Sequence, residues 1–131
     1  MGSFGDYWEN EILDHVFGKG SYTPPTIYVA LSTAEPGDDG SALSEPSGNG
    51  YARQSTSASD WNAAAGGVID NANEITFAEA TGYWGTITHF ALMDAASGGN
   101  LLAHGALSTS KSIGSGDTVS IAAGDLDVSL D

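Results

Sequence analysis

The sequence predicts a mainly β fold, an antiparallel β-sandwich or jelly-roll-like domain with one N-terminal α-helix. Three observations lead there. A helical apolar period is confined to the first seventeen residues. Beyond residue 20, short β-branched and aromatic runs are separated by clusters of Gly, Pro, Asn and Asp. The last segment alternates, with Leu126, Val128 and Leu130 on one side and Asp125, Asp127, Ser129 and Asp131 on the other. Period-two alternation is the pattern of an antiparallel sheet with one wet face. A chain of 131 residues, 40% hydrophobic, holds one core and not two. The expected organisation is an amphipathic helical segment over 1–20, packed on a single β-sandwich domain over 21–131.

The helix is expected over residues 3–17. Ser3 suits the N-cap, with Asp6 three residues on as an Asp version of the capping box. Asp6, Glu9 and Glu11 fall where the helix dipole favours negative charge. Trp8, Ile12 and Val16 recur every fourth residue, and Leu13 and Phe17 widen that stripe. Gly18 stands where a C′ glycine belongs. Tyr22-Thr23-Pro24-Pro25 reads as extended, because each proline fixes φ and restricts the residue before it. Thr26–Ser32 is a buried strand. Residues 33–50, with Pro36, Gly37, Asp38, Asp39, Gly40, Pro46, Gly48, Asn49 and Gly50, form a long surface loop.

Tyr51–Ser57 is a polar strand, and residues 60–67 a connection. Val68-Ile69 and Ile75-Thr76-Phe77 are short strands around a turn at Asp70-Asn71-Ala72-Asn73. Trp84–Met93 is the longest apolar stretch and the expected central strand. Ser97-Gly98-Gly99-Asn100 turns it into Leu101–Leu107, a hairpin signal. Gly114–Asp117 is a turn before Thr118–Ile121. That makes about eight strands, at a spacing typical of sandwiches and jelly rolls.

Charge and composition narrow the partners. Seventeen acidic residues against three basic ones, Lys19, Arg53 and Lys111, give a net charge of −14. Such a chain cannot bind nucleic acid by counterion release, nor an anionic membrane surface. Like charge keeps it soluble until a complementary surface captures it. It has no cysteine, hence no disulfide and no thiolate metal site. No apolar run approaches the ~20 residues of a membrane span, and the N-terminus lacks the basic and apolar regions of a secretory signal.

No motif for chemistry emerges, and no catalytic residue, cofactor or metal is expected. His15, His89 and His104 are scattered and outside any metal-ligand spacing. Their expected role is structural, with His89 and His104 near one another across the hairpin. Asp38-Asp39 could offer oxygen ligands to Ca²⁺ but lacks the alternating acidic spacing of an EF-hand, and a solvated loop explains it better. Asp125 and Asp127 fit the outer face of a strand, where charge discourages edge pairing. The glycine strings are turns, not phosphate cradles, and no Gly-x-Ser-x-Gly elbow occurs. The aromatic clusters Phe4, Tyr7, Trp8 and Tyr83, Trp84 are the candidate interface residues. They either fill the gap between helix and sheet or anchor a neighbouring subunit. The loop at 33–50 is a further candidate for contact or display.

One resemblance spans nearly the whole chain. The opening Ser3-Phe4-Gly5-Asp6-Tyr7-Trp8-Glu9-Asn10-Glu11-Ile12-Leu13-Asp14-His15-Val16-Phe17-Gly18 begins it. Tyr22–Thr33, Glu45–Arg53, Ile75-Thr76-Phe77, Trp84–Phe90 and Asp94–Leu102 follow in order. Together they resemble small virion structural proteins of tailed phages, often labelled tail-fibre-like. The resemblance implies a non-enzymatic building block of a virion and carries no position on the particle; the expected location is the particle exterior, after synthesis in the host cytoplasm. It implies the major capsid protein or other virion subunits as partners, and a homo-oligomer, for which a trimer fits the local three-fold axes of capsids. The expected role is an accessory capsid decoration, or cement, subunit. The alternatives are a small tail or tail-fibre component, and a receptor- or carbohydrate-binding module whose exposed Trp and Tyr would stack on sugar rings.

Overall fold

A computed structural model describes residues 2–130. Met1 and Asp131, the outer ends of the expected helical and β segments, lie outside the described residues, and with Asp131 goes one member of the expected wet face of the last strand. The fold is mainly β with one helix near the N-terminus, as expected. The described residues form nine strands, β1 (Gly2–Phe4), β2 (Tyr28–Ser32), β3 (Gln54–Ser55), β4 (Val68–Asp70), β5 (Ile75–Thr76), β6 (Gly85–Met93), β7 (Leu101–Ile113), β8 (Ser120–Ile121) and β9 (Asp127–Ser129). The helix, α1, spans Asp6–Val16. Seven strands form one sheet in the order β3-β2-β6-β7-β1-β9-β4, and β5 pairs with β8 in a second, two-stranded sheet.

The hairpin β6–β7 is the centre. Ala91, Leu92 and Met93 are buried among β2 and β7, as the apolar run of β6 requires. Register shifts after Ile87 and after Leu92 bend the pair. One face of the sheet carries the main core. Val29, Leu31, Phe90, Leu92, Leu102 and Val128 meet Ile75, Phe77, Val119 and Ile121 there. A smaller cluster of Ala30, Ala91, Met93 and Leu101 lies apart from it, with Leu43 of the long loop packed against it.

The helix starts later than Ser3. Residues 2–4 are a strand, antiparallel to β7 (Ser3 opposite His104) and parallel to β9 (Ser3 opposite Ser129). The cap is Gly5, in an extended conformation and with no side-chain cap bond. Two close approaches explain why the sheet wins over the capping signal. A Cβ on Gly2 would lie 2.7 Å from the His104 carbonyl oxygen and from the ring of Phe90, and one on Gly5 would lie 2.8 Å from the Asp38 carbonyl oxygen. Only glycine lets β1 sit this deep. Gly18 does take the left-handed conformation, φ 74°, at the other end of the helix.

The two short strands flanking residues 70–73 do not pair with each other. Ile69 lies opposite Val128 in one sheet and Ile75 opposite Ile121 in the other. Asn71 causes the divergence. Its side chain is fully buried. Its amide donates to the Asn73 carbonyl at 2.9 Å and the Ala122 carbonyl at 3.0 Å. Its Oδ1 accepts from the backbone N–H groups of Gly124 (3.1 Å) and Leu126 (3.0 Å). The side chain thus takes the place of a strand partner for the turn that leads into β9. Replacing Asn71 with Ala leaves these groups buried and unpaired, at about 1–3 kcal/mol each before relaxation. A loss of about 3 kcal/mol is expected, read as a fall in Tm of roughly 10 °C by calorimetry. A variant within about 0.5 kcal/mol of the parent would show that this hub is dispensable.

Candidate functional site

The candidate aromatics are dispersed. Phe4 and Trp8 stack with ring centroids 4.6 Å apart, and both pack half-buried on the main core. Tyr7 meets Tyr22 edge-on at 6.4 Å. Trp84 is only 4% exposed; its indole donates to the Asn49 carbonyl at 2.9 Å, and its ring meets Tyr51 edge-on. Trp84 is therefore core and not available to a partner. Tyr83 alone of the five is well exposed. The indole Nε1 of Trp8 and the hydroxyl of Tyr22 are shielded yet have no hydrogen-bond partner. Burial raises the pKa of Tyr22, an effect that the nearby Trp8 indole partly offsets.

The apolar stripe of α1 divides in two. Its N-terminal part, Tyr7 and Trp8, lies on the core, but Val16 at the end of the stripe, and Leu13 and Phe17, expected to widen it, stand 70%, 55% and 74% exposed. The last turn is held by the following segment, through the Lys19 and Gly20 N–H groups on the Asp14 carbonyl, and these three apolar side chains are left at the surface. Beside the packed end of α1 is an open groove of about 600 Å³, bordered by Trp8, Pro25, Ile27 and Trp61 and floored by Leu92 and Val128. The Trp61 indole is fixed by donation to Thr56 Oγ1 at 3.0 Å. Sequence patterning ranks Val16 and Phe17 as core, and nothing in it brings Trp61 to Trp8.

The loop at 33–50 is tied down more than its composition suggests. Arg53 makes two parallel bonds to Glu45, Nε to Oε1 at 2.9 Å and Nη2 to Oε2 at 2.8 Å. Its Nη1 donates to the Ala95 and Gly98 carbonyls. Tyr51 Oη donates to Glu45 at 2.7 Å and accepts from the Leu31 N–H at 3.0 Å. Loop, β2 and the β6–β7 turn are thereby joined at one cluster. Burial keeps the Tyr51 hydroxyl protonated far above the ordinary phenol range. Burial also pushes Glu45 up, but the bonds from Arg53 and Tyr51 outweigh it and hold the carboxyl below its ordinary value. Earlier in the loop, Asp38 Oδ1 meets His104 Nε2 at 2.9 Å, and Asp39 accepts from the Ser41 N–H.

His89 and His104 border one shallow depression, but they are offset, because His89 lies opposite Ala106 and His104 opposite Ala91. His89 is bonded to Thr88, and His15 accepts from the Tyr22 N–H. Among the described residues, no three His, Asp or Glu side chains converge to hold a metal ion. No described helix is long and apolar enough to cross a membrane.

Compared with known protein families, residues 3–129 match the family described as podophage GP4 fiber I protein gp80. The chain belongs to this family. It is thus a tailed-phage structural protein of the fibre type, and its place is the virion. No curated protein matches the chain.

The Glu45–Arg53 pair makes the fold sensitive to acid. Because the folded pKa of Glu45 lies below the ordinary 4.5, its contribution is complete above about pH 4.5 and is lost as pH falls through the lower folded value. Glu45→Gln is expected to cost about 2 kcal/mol at neutral pH, since it leaves Arg53 shielded without its counter-ion. Urea unfolding from pH 6 to pH 3 should show a flatter stability profile in the variant than in the parent. Parallel profiles would remove Glu45 as a source of the acid sensitivity.

Proposed function

We propose that this chain is a fibre-type subunit on the outside of a tailed-phage particle, held there by apolar side-chain contacts and not by charge on nucleic acid. The match over residues 3–129 to a fibre family carries this reading. The distribution of the surface supports it. The exposed large apolar side chains concentrate at the end of α1, with Tyr83 and Leu130 elsewhere, and contiguous apolar exposure of this kind suits subunit contact. The partners would be other virion subunits. Three basic residues in a chain of net charge −14, one of them held by Glu45, leave little to attract a phosphate backbone.

A second reading is capsid decoration. One observation favours it: among the described residues there is no repeat and no extended shaft segment, and the described fold is a short body able to sit on a shell lattice. Copy number separates the two. Quantitative mass spectrometry of purified virions, referenced to the major capsid protein, is expected to give a few copies per hundred capsid subunits or fewer, as for a tail vertex. Near parity with the capsid protein would replace the fibre reading with decoration. Absence from washed virions would remove both.

A further inference from the structure

We propose that the groove between Trp8 and Trp61 receives an extended apolar segment of another virion subunit, flanked by lysine or arginine. The source of the segment rests on the reading of this chain as a virion subunit; its chemistry rests on the groove.

The groove is built to take apolar side chains. Its floor, Leu92 and Val128, belongs to the main core, and the rings of Trp8, Pro25 and Trp61 border it. Its volume of about 600 Å³ falls in the range of roughly 300–1,000 Å³ typical of sites that enclose a ligand. The Trp61 indole is bonded to Thr56 Oγ1, which itself donates to the Ile27 carbonyl at 2.8 Å. An aromatic wall fixed in advance loses little freedom when a partner binds. Most polar groups at the groove are already engaged within the chain. Thr56 is occupied as above, the Ser57 hydroxyl meets Asp60 and Ser59, and the Asn62 amide donates to Asp70 at 2.8 Å. A sugar, held by many hydroxyl bonds, finds few partners here. An extended segment that docks its side chains in an aromatic-lined groove needs few.

The rim sets the flanks. None of the side chains lining the groove is charged. Asp60 and Asp70, however, are bonded to the lining residues Ser57 and Asn62, and Glu9 follows Trp8 on α1. Bonds from the Ser57 N–H and the Asn73 amide hold Asp60 below the ordinary carboxylate range, so it stays charged near neutrality. Among the described residues no cation pairs with these three acids, and Arg53 is committed to Glu45. An apolar centre bordered by negative charge is complementary to apolar residues flanked by positive ones. The net charge of −14 steers the same kind of partner towards the chain. The same rim repels an acyl carboxylate or an anionic lipid.

The test is an array of overlapping synthetic peptides covering every protein of the virion, this chain included, probed with the full-length protein. Bound peptides are expected to come from another subunit, to share an apolar centre with Lys or Arg beside it, and to bind more weakly as salt rises. Ala63→Lys, at an exposed lining position, puts a cation at the groove and is expected to abolish binding. Trp61→Ala should weaken it on the order of thirtyfold, as loss of a Trp hot spot does. Asp60→Asn with Asp70→Asn should weaken it and flatten its salt dependence. Near-ultraviolet circular dichroism checks the fold of each variant. An array with no bound peptide overturns the proposal, as do bound peptides without a flanking cation, or binding that Ala63→Lys leaves unchanged. Binding of this chain's own peptides alone would overturn it in favour of self-assembly. A glycan array that retains the parent and not Ala63→Lys would overturn it in favour of a sugar. A chain present in washed virions that binds no peptide loses this inference and keeps the fibre reading.

Discussion

The buried amide of Asn71 is the constraint on which the arrangement of this domain depends. It gathers backbone groups from two turns that have no strand to pair with. By fixing residues 122–126 it aims β9 into the large sheet. There β9 closes the outer edge of β1, whose other edge is on β7, and Gly5 after β1 starts α1 beside β7. A polar group this deep is tolerated because both ends of the amide are satisfied; half satisfied, it would cost more than an apolar residue in its place.

The second organising contact is electrostatic. In a chain so acidic, a cation is a scarce resource, and Arg53 is committed to one carboxylate and two carbonyls. A planar guanidinium can serve all of them at once, which an ammonium cannot. The result is that the long loop is anchored at residue 45, held at Asp38 against His104, and docked through Asn49 on Trp84. What its composition presents as a free excursion is cover for a face of the sheet.

Patterning exposed the strands well and their partners poorly. The apolar run of β6, the Gly-Gly turn and β7 read directly as a hairpin, and Leu126 and Val128 face the core as their alternation implies. Leu130, in the same phase, is exposed because β9 ends at Ser129. The capping signal at Ser3 was local and lost to a long-range one, the close approach of Gly2 and Gly5 to β7 and the loop. Periodicity identifies the apolar stripe of α1, but it carries no information about how far the body beneath a helix extends, and Val16 and Phe17 of that stripe are exposed. The groove was invisible for a related reason: Trp8 and Trp61 are brought together only by the sheet order. The virion assignment came from extended resemblance, since no chemistry-bearing motif exists to be read.

The parallel pairing of β1 with β9 has a consequence for how the molecule comes into being. Gly2 lies beside Val128 and Ser3 beside Ser129, so two of the seven strands of the large sheet come from opposite ends of the described chain. A nascent chain can form the β6–β7 hairpin early, but its first strand stays unpaired on that side until residues 127–129 have been made. Contacts of such separation slow folding, because the loop entropy is spent before the contact forms. The hairpin and the seat of β1 on β7 can thus form before that edge of the sheet closes, and the closing strand is the one drawn from residues far along the chain.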